Sequence, residues 1–160
     1  PACVAERNGC LLGSAIPRVR VHTFIRAPRA TVWKAVRDIG SHVRWMQDAD
    51  AIRITSRRAT GVGTTFECDT RVGPLRLTDR MEVTEWRERR AMTIRHTGLV
   101  RGVGRFTLKL RPGGTLFTWE ERLRFPWWLG GRVSGAVATP VLRRIWKGNL
   151  AQLKELVEAG

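Results

Sequence analysis

Apolar and polar residues alternate from Arg18 onward. Val19, Val21 and Phe24 or Ile25 stand against Arg18, Arg20 and His22, the period of a half-buried strand. Ala27-Pro28 stops that strand, and proline suits the first position of a helix. Ala30, Val32, Trp33, Val36 and Ile39 then recur at helical spacing until Gly40, and a second short helix carries Val43, Trp45 and Met46. A short strand near Ala51–Thr55 precedes five more strand-like segments: Thr64–Val72, Leu75–Trp86, Ala91–Thr97, Val103–Leu110 and Thr115–Phe125. Gly73-Pro74, Arg87–Arg90, Gly98–Gly102 and Pro112-Gly113-Gly114 separate them. Connections so short require antiparallel neighbours. From Trp127 the pattern is helical, with Pro140 kinking or restarting it, and Val141, Leu142, Ile145, Trp146, Leu150, Leu153 and Val157 form its apolar stripe. The expectation is an α+β fold: a seven-stranded antiparallel sheet, two short helices after its first strand, and a long final helix covering one face.

Strand parity sorts the two faces of that sheet. The inward set reads Phe66, Cys68, Thr70 and Val72; Leu75, Leu77, Asp79, Met81 and Val83; Met92, Ile94 and His96; Gly104, Phe106, Leu108 and Leu110; then Phe117, Trp119, Glu121, Leu123 and Phe125. The outward set holds Arg76, Arg80, Arg95, Arg105, Lys109, Arg122 and Arg124 beside Glu67, Asp69, Glu82 and Glu120, an arrangement suited to cross-strand ion pairs. Cys68, Asp79, His96 and Glu121 interrupt the apolar inner face. Centring each turn puts Cys68 opposite Asp79, His96 near Met81, and Glu121 level with Gly104, which in turn falls near His96. His96 and Glu121 then stand about 10 Å apart across two strand spacings. Three readings of this polar belt remain open. The groups satisfy one another around water, they orient an apolar ligand, or they move protons, each tuned by burial.

Composition alters this picture little. The 160 residues are 42% hydrophobic and 27% charged, enough for one domain with a real core. Residues 1–16 lack any period and read as a flexible leader, leaving 17–160 as a single domain. Neither a signal peptide nor an uncharged stretch of about 18 residues occurs, so a cytoplasmic location is expected. Cys3, Cys10 and Cys68, with scattered His22, His42 and His96, give neither a disulfide framework nor a metal motif. No cofactor is expected. The net charge of +15 comes from 25 Arg and four Lys against 14 acidic residues. The pairs Arg57-Arg58, Arg89-Arg90 and Arg143-Arg144 are dispersed, and the outer arginines are interleaved with acids without stacking aromatics. That is a poor phosphate track, and no nucleic-acid partner is expected. Weak attraction to an anionic membrane surface is the alternative use of the charge.

Five segments resemble the SRPBCC superfamily, the START-like and polyketide cyclase/dehydrase group with the helix-grip fold. They are the run from Ala27 to Met46, Gly61–Glu67, Thr84–His96, Gly113–Glu121 and the final amphipathic helix. The resemblance spans roughly residues 18–158. It implies a sheet wrapped around the last helix and an elongated hydrophobic cavity between them, holding a lipid, polyketide or quinone-like molecule. The wall so expected comprises Trp45, Phe66, Cys68, Leu77, Met81, Ile94, Gly104, Phe106, Leu108, Phe117, Trp119, Leu123, Trp127, Val137 and Val141. A cyclase/aromatase-like enzyme, with His96, Glu121 and Asp79 as catalytic groups, is the alternative. A lipid-transfer or membrane-surface module is the third. Aromatase-type relatives use cavity tyrosines and arginines, whereas this chain has no tyrosine, which favours binding over catalysis.

Overall fold

The computed structural model describes residues 18–126, the backbone of 131–138, and residues 139–160. The expected leader, 1–16, and Trp127 fall outside the described residues, as does the side chain of Val137. Seven strands form one antiparallel sheet: β1 Arg18–Ile25, β2 Ala49–Ile54, β3 Thr65–Val72, β4 Leu75–Arg87, β5 Ala91–Thr97, β6 Arg101–Arg111 and β7 Gly114–Arg124. Helix α1, Arg29–Arg37, follows β1, and α2, Gly131–Glu158, closes the chain with Pro140 inside it. The order across the sheet is β1-β7-β6-β5-β4-β3-β2. Strands β2 to β7 are a meander, so β1 and β2, adjacent in sequence, occupy opposite edges. Helix α1 and a 3-10 turn, Ile39–Arg44, carry the chain between those edges.

This is the expected α+β helix-grip architecture. The second short helix is corrected in detail. It is a 3-10 turn that ends before Trp45, and α1 stops at Arg37 rather than at Gly40. Asp38 separates the two with φ −83° and ψ 89°, outside helical values, and Gly40 sits within the turn.

The core lies between the concave sheet face and α2. Trp146, Leu150, Leu153 and Val157 of the helix are buried against Val19, Val21, Phe117 and Trp119. Removing so much apolar surface from water is the main stabilising term, about 25 cal/mol per Å². Two polar ties fix the helix. Asn149, fully buried, accepts from the Gln47 backbone N–H at 3.0 Å and donates to Asp48 at 2.6 Å, while Lys154 donates to the Phe24 carbonyl at 3.0 Å.

The outer sheet face carries the ion pairs its alternation called for. Arg80 meets Glu67 at 3.1 Å, Arg95 meets Glu82 at 2.7 Å and Arg53 meets Asp69 at 2.5 Å. Parity fails in two places. Leu110, assigned inward, is 58% exposed where β6 runs past the core. A bulge between Val83 and Glu85 breaks the β4–β5 register, so Trp86 pairs with Met92 and packs on the core edge-to-face with Trp33 at 5.2 Å.

Candidate functional site: a cavity with a carboxylate–histidine cluster

Between the curled sheet and α2 lies a cavity of about 370 Å³. Strands β3 to β7 supply most of its wall through their inward positions, Val141, Leu142 and Trp146 of α2 close one side, and Met46, Asp48, Ala49 and Ile52 close the β2 edge. Among the described lining residues there is no Lys or Arg.

The strand pairing gathers the polar groups. Cys68 stands opposite Asp79, Met81 opposite His96, and Gly104 opposite Glu121, as the turns predict. The β5–β6 register differs: His96 pairs with Gly102 and Ile94 with Gly104, because the connection is only residues 98–100 and β6 starts at Arg101. The 10 Å expected between His96 and Glu121 is therefore wrong for their side chains. With glycine at both 102 and 104, β6 raises no side chain between them, and His96 Nε2 lies 3.4 Å from Glu121 Oε2. A Cβ on Gly104 would lie 2.2 Å from Glu121 Oε1, so only glycine leaves that carboxylate its place. Gly98 does the same for Asp79, whose Oδ1 would be 2.6 Å from an added Cβ.

His96 Nδ1 donates to Asp79 Oδ2 at 2.5 Å, and Trp119 Nε1 donates to Glu121 Oε1 at 2.8 Å. Asp79 and Glu121 are 3% and 7% exposed. Among the described residues Asp79 Oδ1 and Glu121 Oε2 are buried without a hydrogen-bond partner, and the 3.4 Å contact of Glu121 Oε2 with Nε2 is an ion pair. Burial is the largest single influence on His96 and disfavours its proton. The hydrogen bond to Asp79, the close contact with Glu121 and the charges of both carboxylates together outweigh it and raise the ring from 6.5 to about 10. Elsewhere on the wall, burial dominates. It lowers His42 to about 4 and raises the Cys68 thiol to about 11, which leaves that thiol protonated and unreactive.

Of the residues expected to line the cavity, Phe66, Cys68, Leu77, Met81, Ile94, Phe106, Trp119, Leu123 and Val141 border it, together with Asp79, His96 and Glu121. Trp45, Leu108 and Phe117 do not: they are packed inside the core. Trp45 is fully buried because the 3-10 turn delivers it against His42, Phe106 and Trp119, at 4.9 to 6.2 Å between ring centres. Gly104 contributes space rather than surface. Sequence reasoning did not assign His42, Asp48 or Trp146 to the wall. Trp146 stacks on Trp119 at 4.9 Å, and its helical stripe made it core; it is both. Thr70, Val72, Leu75 and Phe125 also border the cavity; they belong to the expected inward face but not to the expected wall, and their parity is the signal that could have added them. Asp48 and Ala49 lie between the expected short helix and the expected short strand and carry no periodic signal.

Among the described residues no helix is long and apolar enough to cross a membrane. Comparison with curated proteins finds no match. Solved structures are similar in fold. TTHA0849 from Thermus thermophilus has a TM-score of 0.75 at 18% identity, covering 89% of this chain and 98% of that one. DR_A0006 from Deinococcus radiodurans has a TM-score of 0.67 at 15% identity, with the same coverage. StfQ, a di-domain ARO/CYC from the steffimycin biosynthetic pathway, has a TM-score of 0.74 at 11% identity, and 89% of this chain covers 51% of that one. Identities this low establish the fold alone. The family model described as "Polyketide cyclase / dehydrase and lipid transport" matches residues 17–158. With that match across nearly the whole chain, the protein belongs to this polyketide cyclase/dehydrase and lipid transport family of the SRPBCC superfamily.

Proposed function

We propose that the protein binds a hydrophobic or aromatic small molecule, of the lipid, polyketide or quinone-like kind, in the cavity between sheet and α2. The cavity itself is the observation that carries this reading. Its volume of about 370 Å³ lies within the roughly 300–1,000 Å³ of small-molecule pockets, and mostly apolar walls with a few convergent polar groups are what such pockets use. Leu75 and Val141 border the cavity and are also exposed, which marks them as its mouth. With a net charge of +15 around it, collection of the ligand from an anionic membrane surface is the finer form of the same reading.

Cyclase-like catalysis is the second reading, favoured by a cavity histidine oriented by a carboxylate. Its weakness is energetic. A general acid or base works best with a pKa near the working pH, and a ring held protonated to about 10 parts with its proton reluctantly. The binding reading is tested by native mass spectrometry of the purified protein and by thermal shift across lipids, quinones and aromatic polyketides. The expected result is a co-purified mass or a ligand-dependent rise of several degrees, by preferential binding to the folded state. A bare spectrum with no shift across all three classes defeats it.

A further inference from the structure

The outer face of the sheet is divided in charge. On β2 to β5 acids alternate with arginines and meet them, as in the pairs Arg53–Asp69, Arg80–Glu67 and Arg95–Glu82. On β1, β7 and β6 the outward positions hold Arg18, Arg20, Arg101, Arg105, Arg122 and Arg124, all exposed, against a single acid, Glu120. The register sets like charges directly across from one another, Arg18 opposite Arg122 and Arg101 opposite Arg124. Glu120 serves the first pair, Arg18 at 2.5 Å and Arg122 at 3.7 Å. Like charges so opposed weaken a sheet, so the fold itself does not call for them. Both pairs sit at one end of the molecule. Antiparallel pairing brings the start of β1, the end of β7 and the start of β6 to the same end as the β3–β4 turn and the 98–100 connection. There Leu75 borders the cavity mouth, and Val100, Leu123 and Phe125, the sequence neighbours of Arg101 and Arg124, line the cavity. Leu99 on that connection is 42% exposed and Leu75 36%.

Resting on the reading above that the ligand is collected from a membrane, we propose that the arginine face of β1, β7 and β6 is the docking surface. Its mouth end lies on an anionic bilayer with Arg18, Arg101, Arg122 and Arg124 among the headgroups and Leu99 and Leu75 entering the interface. An anionic surface relieves the repulsion within each opposed pair, and the exposed leucines add apolar area to the contact. Charge complementarity favours any polyanion. Two features favour a bilayer over a nucleic acid. The face runs into the mouth of an apolar cavity, and the exposed side chains beside it are aliphatic rather than the aromatic platforms on which bases stack. The ion-paired half of the sheet, β2 to β5, takes no part.

Two double variants with the same change of net charge test the face. Arg101→Gln with Arg124→Gln removes one opposed pair, and Arg53→Gln with Arg80→Gln removes two arginines from the ion-paired half. Binding is measured by flotation with phosphatidylserine-containing phosphatidylcholine vesicles and with pure phosphatidylcholine vesicles. The parent is expected on the anionic vesicles only, with affinity falling as salt rises. The first double variant should bind about 25-fold more weakly, at about fivefold for each arginine near the surface, and the second about as tightly as the parent. Leu99→Ser should lower affinity severalfold, through the part of the binding that salt does not remove. Equal losses in the two double variants mean that net charge alone acts, and they overturn the docking face, as does failure of the parent to bind anionic vesicles. Short duplex DNA that binds as tightly at the same salt and is lost in the same variant overturns the bilayer assignment. None of these results touches ligand binding, which native mass spectrometry reads without vesicles. Should the first double variant not fold, Arg18→Gln with Arg122→Gln makes the same test at the other opposed pair.

Discussion

The two histidines of the cavity wall, one buried and one nearly so, show how little burial says without a partner. His42 sits beneath Trp45 and Phe106 and donates from Nε2 to the Val36 carbonyl at 2.7 Å. A backbone carbonyl and aromatic faces do not repay the desolvation of a cation, so burial wins and the ring stays neutral down to about pH 4. His96 is less enclosed, its side chain 11% exposed, and its two nitrogens face Asp79 and Glu121. There the carboxylates win and the ring stays charged to about pH 10. One wall is thus a neutral aromatic surface and the other an ionic cluster, within one cavity.

The stability consequences have opposite signs. For His96 the folded value lies above the unfolded 6.5, so its contribution is whole below about pH 6.5 and is lost as pH rises toward 10. For His42 the folded value lies below 6.5, so its contribution is whole above about pH 6.5 and is lost as pH falls toward 4. The two windows meet near pH 6.5, where neither is spent. The largest expected effect follows from removing the cation. His96→Ala leaves Asp79 and Glu121 buried without it and should cost about 3–5 kcal/mol at neutral pH. In a chain of this size that lowers the melting temperature by roughly 10 °C, and the alkaline loss above pH 6.5 should flatten. Thermal unfolding from pH 6 to 10 checks it. A variant within about 1 kcal/mol of the parent would break the comparison, because the carboxylates would then not depend on the ring.

His42 tests the other wall with a smaller effect. His42→Phe keeps the ring volume between Trp45 and Phe106 but leaves the Val36 carbonyl without its donor, a cost of about 1–3 kcal/mol. The deficit should shrink as pH falls from 6.5 toward 4, since the variant has no buried imidazole to protonate. Chemical denaturation at pH 7 and pH 5 measures both. A deficit that grows on acidification would mean that His42 is charged in the fold.

How much of this was legible in the chain depends on the range of the interactions. Alternation and turn residues are local, and they placed all seven strands and the inward positions of Asp79, His96 and Glu121. The spacing of His96 from Glu121 was not local. It hinged on a three-residue connection at 98–100 and on two glycines of β6 that let side chains lean across a strand. The state of His42 was invisible for the same reason: its environment comes from Trp45, Phe106 and a carbonyl six residues back, assembled by an aperiodic turn. Trp45 illustrates the converse. An aromatic in the right segment looked like cavity wall, and only the closing of the 3-10 turn onto the sheet makes it core.

The smallest effect isolates burial from charge. Arg95 adjoins His96 on β5 and points to the other face, where it pairs with Glu82 at 2.7 Å just as its neighbour pairs within the cavity. The geometry is good, but the guanidinium side chain is 54% exposed. In water the attraction is screened, and two long side chains lose freedom to hold one arrangement. Arg95→Ala should therefore cost about 0–1 kcal/mol, with the difference fading as salt is added. The His96→Ala deficit should persist at the same ionic strength, because its charges lie out of reach of counterions. Paired denaturation curves at low and high salt make the measurement. If Arg95→Ala matched His96→Ala in size, or if both faded alike, then adjacency of opposite charges would account for the cavity cluster without burial. Exclusion of water is the property that separates one side of β5 from the other.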